Sequence, residues 1–154
     1  MHYKMRDQIR FKIGKEEKNI QEKWIEIPEG TEHIQMMIEM PEEFRYMAFL
    51  FLEDPKKEIR FQKLLGYGQQ NPGIGKSTKD TTIGGVPGEI YPGTWKIGIG
   101  IFTEYVAQKL GEQTGEIVLT VSDRKDVVSD PIGGECWGEN GLHVSEKSYR
   151  WENV

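Results

Sequence analysis

Apolar residues in this chain recur at every second position, and that period constrains its fold more than any other feature. Ile9, Phe11 and Ile13 alternate with Arg10 and Lys12, and Ile25 and Ile27 flank Glu26. Ile34, Met36 and Ile38 alternate with Gln35, Met37 and Glu39, and Ile59 and Phe61 flank Arg60. Trp95, Ile97, Ile99 and Ile101 alternate with Lys96, Gly98 and Gly100; Ile117, Leu119 and Val121 alternate with Val118 and Thr120. Successive side chains of an extended strand point to opposite faces, so each stretch buries one face and wets the other. The run Tyr46–Leu52 is instead continuously apolar and ends at Glu53-Asp54-Pro55, the pattern of a fully buried strand. The punctuation between these stretches comes from 18 glycines and 7 prolines, with Asn and Asp. Short strands so separated predict an all-β, jelly-roll-like antiparallel β-sandwich of about seven or eight strands.

Helix is scarce. Phe102, Val106 and Leu110 recur at spacing four, which predicts one short helix over Thr103–Leu110, ended by Gly111. Lys15–Glu22 carries little apolar face and reads as a loop. Leu64–Gly88 holds seven glycines and two prolines and reads as a long ordered loop with one strand near Thr81–Ile83. The residues from Asp123 onward are polar and Gly-rich, but Trp137, Leu142, Tyr149 and Trp151 give them something to bury. They are expected to pack back onto a single sandwich spanning residues 1–154.

A net charge of −5 gives no basic footprint for nucleic acid. The one cysteine, Cys136, excludes an internal disulfide and any zinc site built on paired thiolates. The N-terminal residues lack the apolar run of a signal peptide, and Met47–Leu52 is far too short to span a bilayer. A cytoplasmic location away from membranes is the expectation.

The chemistry-bearing motifs read as bland. Asn71-Pro72-Gly73-Ile74-Gly75-Lys76-Ser77-Thr78 ends like a phosphate-binding loop, but Gln70 stands where its first glycine belongs. The residues that follow, Lys79-Asp80-Thr81-Thr82-Ile83-Gly84-Gly85, do not favour the helix whose N-terminus would complete an anion site. A turn with a solvated lysine is the better reading. His2, His33 and His143 form no metal-ligand spacing, so no metal and no cofactor is expected. His33 precedes a strand and reads as a surface or edge residue. Asp54 reads as a turn cap. There is no G-x-S-x-G elbow, and Cys136 reads as a structural thiol beside no evident base. No catalytic residue is assigned. Trp95 shares its face with three isoleucines and reads as core, whereas Tyr91, Trp137 and Trp151 remain candidates for a ligand-stacking surface.

One segment is family-like. Val86-Pro87-Gly88-Glu89-Ile90-Tyr91-Pro92-Gly93-Thr94-Trp95 and the strand after it, with Phe49-Leu50-Phe51-Leu52-Glu53-Asp54-Pro55 upstream, resemble the N-terminal β-sandwich of CehA/McbA-like metallohydrolases of the PHP superfamily. The resemblance covers roughly residues 9–122. In that family the chemistry belongs to a C-terminal metal-binding domain that opens on W-x-x-G-D-L-H-x-H. Here Trp137-Gly138-Glu139-Asn140-Gly141-Leu142-His143-Val144-Ser145 keeps Trp and Leu-His, but has Gly141 for the aspartate and Ser145 for the second histidine. Nine residues follow Ser145, so the catalytic domain is not expected in this chain.

The resemblance therefore implies an accessory sandwich without catalysis of its own. The leading expectation is a non-catalytic interaction module, partnered by a second copy through exposed strand edges or by a PHP-type metallohydrolase. The alternative is a small-ligand or carbohydrate-binding module using the 64–88 loop with Tyr91 and Trp137. A metal-dependent hydrolase, suggested by His143, ranks third.

Overall fold

The computed structural model describes residues 5–66, 71–125 and 128–133. Its strands are β1 (Arg6–Ile13), β2 (Ile20–Ile27), β3 (Ile34–Glu39), β4 (Phe49–Glu53), β5 (Ile59–Leu64), β6 (Gly73–Ile74), β7 (Gly93–Gly100) and β8 (Gly115–Ser122). They form two four-stranded antiparallel sheets, A in the order β1-β8-β3-β6 and B in the order β2-β7-β4-β5. The chain changes sheet at each connection except the β4–β5 hairpin. The inward side chains of both sheets merge into one core, in which Phe11, Met36, Leu50, Phe61, Trp95 and Leu119 are fully buried. The predicted all-β sandwich is the observed architecture, with eight strands among the described residues.

The alternation explains the layers. Ile9, Phe11 and Ile13 of β1 face inward, and the register sets them beside Leu119, Ile117 and Gly115. On β7, Trp95, Ile97 and Ile99 are buried while Lys96 faces out. The predicted helix appears as α1, Thr103–Leu110, between β7 and β8. Gly111 ends it at φ 65°, donating its backbone N–H to Ala107 at 2.8 Å. Val106 is the buried anchor of α1, and Tyr105 meets Phe44 edge-to-face. Among the described residues no helix is long and apolar enough to cross a membrane.

Three local expectations are corrected. β2 begins at Ile20, within the segment read as a loop, because Ile20, Gln21 and Glu22 complete the ladder with Gly100, Ile99 and Gly98. Pairing to a partner strand outweighs the weak local pattern. The apolar run at Tyr46–Leu52 is a strand only from Phe49; Glu42–Met47 form a 3-10 turn that buries Phe44. In the long loop the strand is Gly73–Ile74, paired with β3, while Thr82 and Ile83 make only isolated bridges.

That loop has a structural role. Gln62 donates its N–H to the Gly84 carbonyl, Val86 donates to Arg60, and Thr82 donates to Gly73. The segment from β6 to Val86 thus bridges the edge strand of sheet A to the edge strand of sheet B, covering both. Gly84 makes this possible at φ 107°, where a Cβ would also press on the Gln62 carbonyl.

Candidate functional site

Three places in the fold carry chemistry. The first lies beneath the Val86–Trp95 stretch. The bulge between Leu52 and Glu53 turns the chain so that Asp54 points inward at the β4–β5 turn. Its Oδ1 accepts the backbone N–H groups of Lys56 and Glu58 at 2.8 and 3.0 Å, capping the turn as expected. Its Oδ2 lies 3.4 Å from Nη1 of Arg60, and both side chains are essentially excluded from solvent. Arg60 also donates from Nε to the Val86 carbonyl at 3.1 Å and from Nη1 to the Glu89 carbonyl at 2.8 Å. Its guanidinium sits 5.5 Å from the Trp95 ring centroid, and the Trp95 indole N–H donates to the Tyr91 carbonyl at 2.7 Å. Arg60 Nη2 is buried without a hydrogen-bond partner among the described residues.

This arrangement gives the Val86–Trp95 stretch a structural reason. Aspartate orients arginine, arginine ties down two carbonyls of the loop, and tryptophan covers the guanidinium while holding the end of the same loop. Apart from the unpartnered Arg60 Nη2, the cluster's hydrogen bonds lead back into the fold. It is a clasp.

The second place surrounds His33, which is 5% exposed and so corrects the surface reading. The ring packs under the β6 strand and the turn after it, against Gly73 and Gly75, where a Cβ would crowd the imidazole. His33 Nε2–H donates to Gln35 Oε1 at 2.7 Å, and Gln35 passes the chain on to the Asn71 carbonyl at 2.9 Å. Burial lowers the His33 pKa below 6.5, against the opposing pull of the Gln35 hydrogen bond and of Asp80. Asp80 is itself held below its ordinary value, chiefly by Lys125 at 2.7 Å.

The phosphate-loop look-alike sits on this turn. Ser77 donates its hydroxyl to Asp80, and Thr78–Asp80 form a single 3-10 turn where an anion site would need a helix. Lys76 is half-exposed, 3.5 Å from Glu89 and 3.9 Å from Glu32. The string reads as a turn here too. Among the described residues no group of three His, Cys, Asp or Glu side chains is placed to hold a metal ion.

The third place was not anticipated. On the outer face of sheet B the register aligns Ile20, Gly100, Phe49 and Leu64 in one row across all four strands. Ile20 and Leu64 are 60% and 58% exposed, and Phe102, just past β7, is 64% exposed. With Met47 they wall an open depression of about 350 Å³ floored at Gly100. The next row sets Phe51 across Gly98, where a Cβ would run into the ring. Further along the face Trp24 is 60% exposed beside Lys96, which lies between Glu22 and Glu53 at 3.4 and 3.6 Å. The outer face of sheet A is ordinary by contrast: Gln8, Arg10, Lys12, Glu116 and Glu39 face solvent there, with an ion pair between Arg10 and Glu116.

Alternation alone could have flagged this face. Ile20 and Trp24 stand at polar-phase positions of β2, and Phe49 and Phe51 at those of β4. Reading Lys15–Glu22 as a loop and Tyr46–Leu52 as fully buried hid both.

Of the residues proposed for ligand stacking, Tyr91 is half-buried, with the Lys56 ammonium 4.2 Å over its ring. It belongs to the clasp and does not line the depression. Leu64, the first residue of the long loop, does. Trp137, Trp151, Cys136 and His143 lie outside the described residues, as does His2. No protein-family model matches the chain, and no curated protein matches it.

Proposed function

We propose that this chain is a non-catalytic interaction module, a β-sandwich that acts by presenting the outer face of sheet B to another macromolecule. One observation carries the reading: a solvent-side sheet face bears Ile20, Trp24, Phe49, Leu64 and Phe102, where an unpartnered antiparallel sheet would be polar. The edge-pairing route to a partner narrows to β2 among the described strands, since the loop covers the β5 and β6 edges and Arg and Lys side chains flank the β1 edge. The resemblance of the Val86–Trp95 stretch supports the accessory role and the jelly-roll-like topology, and suggests a PHP-type metallohydrolase as partner.

The test is site-specific photo-cross-linking from a benzophenone side chain at position 64, compared with position 37 on sheet A. A discrete adduct from position 64 alone is expected. Equal adducts from both positions, or none from either, would remove the reading.

A second reading rests on the depression itself, whose volume falls in the range of small-ligand pockets, about 300–1,000 Å³. Among the described residues its one polar lining side chain is Asn19, whose Oδ1 accepts from the Thr103 N–H and hydroxyl; with the rest of the lining apolar, a predominantly apolar ligand fits better than a sugar. Saturable quenching by a free fatty acid that Gly100→Leu abolishes would favour it.

A further inference from the structure

We propose that the outer face of sheet B docks a segment of another protein that presents apolar anchors flanked by lysine or arginine. The inference rests on the interaction-module reading and adds the chemistry of the partner.

The anchors follow from the row Ile20–Gly100–Phe49–Leu64. Gly100 leaves a hollow between the flanking side chains, and Phe102 and Met47 raise its end wall. A leucine or aromatic side chain entering it would exclude water from all of them, the arrangement that concentrates binding energy at interfaces.

The flanking charge follows from the rest of the face. Its outward ionisable positions are Glu22, Glu26 and Glu53 against Lys96. Lys96 is shared by Glu22 and Glu53, while Glu26 is engaged by the neutral Thr94 hydroxyl at 2.8 Å. The face therefore carries a surplus of carboxylate beside its apolar row, and a cationic partner is complementary to it. A second copy is not. Pairing this face with itself would bring the same carboxylate surplus from both sides, in a chain whose net charge is already −5. Setting it on sheet A of another copy would meet Arg10 and Lys12 already balanced by Glu116 and Glu39, with Met37 and Val118 as the apolar contribution.

The probes are two synthetic amphipathic helices with the same leucine positions, one carrying lysine and the other glutamate at every polar position. Affinities are measured by titration calorimetry on the full chain, on Leu64→Ser, and on Met37→Ser as the sheet A control. The inference predicts saturable binding of the Leu/Lys helix, one per chain, about tenfold or more tighter than the Leu/Glu helix. Leu64→Ser should weaken it by about tenfold, and Met37→Ser should leave it unchanged. Equal binding of both helices, lost in Leu64→Ser, would overturn the charge assignment and leave the interaction-module reading standing. Failure of both helices to bind, or binding that Leu64→Ser does not weaken, would overturn both. Sedimentation of the free protein is the second measurement: a wild-type dimer that Leu64→Ser dissociates would make a second copy the occupant and overturn the inference.

Discussion

Asp54 and Arg60 form an ion pair that solvent barely reaches, and such pairs are far costlier to break than to omit. Asp54→Ala leaves the guanidinium buried without its carboxylate and frees the Lys56 and Glu58 amides. We expect a loss of about 3–5 kcal/mol in urea unfolding. Trp95→Phe shrinks the buried ring and also drops the indole bond to Tyr91, and should cost about 1 kcal/mol more than ring size alone predicts. If Asp54→Ala unfolds at the wild-type midpoint, the clasp does not hold the loop.

His33 gives the molecule a pH dependence of definite sign. Its native pKa lies below the unfolded value of 6.5, so above that pH neither state binds the proton and the full stability is present. As pH falls below 6.5 the unfolded chain takes up a proton that the native imidazole refuses, and stability declines until the native pKa is reached. Asp80 acts in a separate, lower window: its stabilisation is present above 3.8 and is lost as pH falls through its depressed native value. Thermal unfolding between about pH 7.5 and pH 5 should show the His33 decline, and His33→Gln should flatten it. A wild-type midpoint that is constant over that interval would contradict the buried neutral imidazole.

At the scale of elements, the strands whose inner face alternates cleanly were legible: β1, β7 and β8 stand where Ile9–Ile13, Trp95–Ile101 and Ile117–Val121 put them. The helix Thr103–Leu110 was legible in both bounds because its spacing and its terminal glycine agree. The start of β2 was not, since Ile20 gains its place from the ladder with β7 and not from its neighbours in sequence. Nor was the Glu42–Met47 turn, whose last residues, Tyr46 and Met47, continue the apolar run of the strand that starts at Phe49.

The His33 and Arg60 environments were illegible for a further reason. Each is assembled by the 71–89 loop folding over it, a long-range event that leaves no local period. The bridging loop itself depends on Gly84 at φ 107°. Gly84→Ala should destabilise the protein by about 1–3 kcal/mol and expose the Gln62 and Val86 amides to faster hydrogen exchange. Unchanged exchange at those amides would mean that the loop is held by other contacts.

For the whole molecule the contrast between the two outer faces matters most. Sheet A turns mostly polar residues to water around Met37 and Val118, whereas sheet B turns an apolar row with a carboxylate surplus. The fold does not need that row: Leu64 and Phe102 are more than half exposed, so Leu64→Ser and Phe102→Ser should each change stability by no more than about 0.5 kcal/mol. A larger loss would assign the residues to folding and not to contact.

The most direct measurement is amide chemical-shift mapping of the labelled protein titrated with the Leu/Lys helix. If sheet B is the contact face, the perturbed amides will cluster at Ile20, Phe49, Leu64, Gly100 and Phe102, with β1 and the outer side of sheet A unmoved. Perturbations spread over both sheets, or centred on Arg10, Met37 and Thr120, would contradict the account.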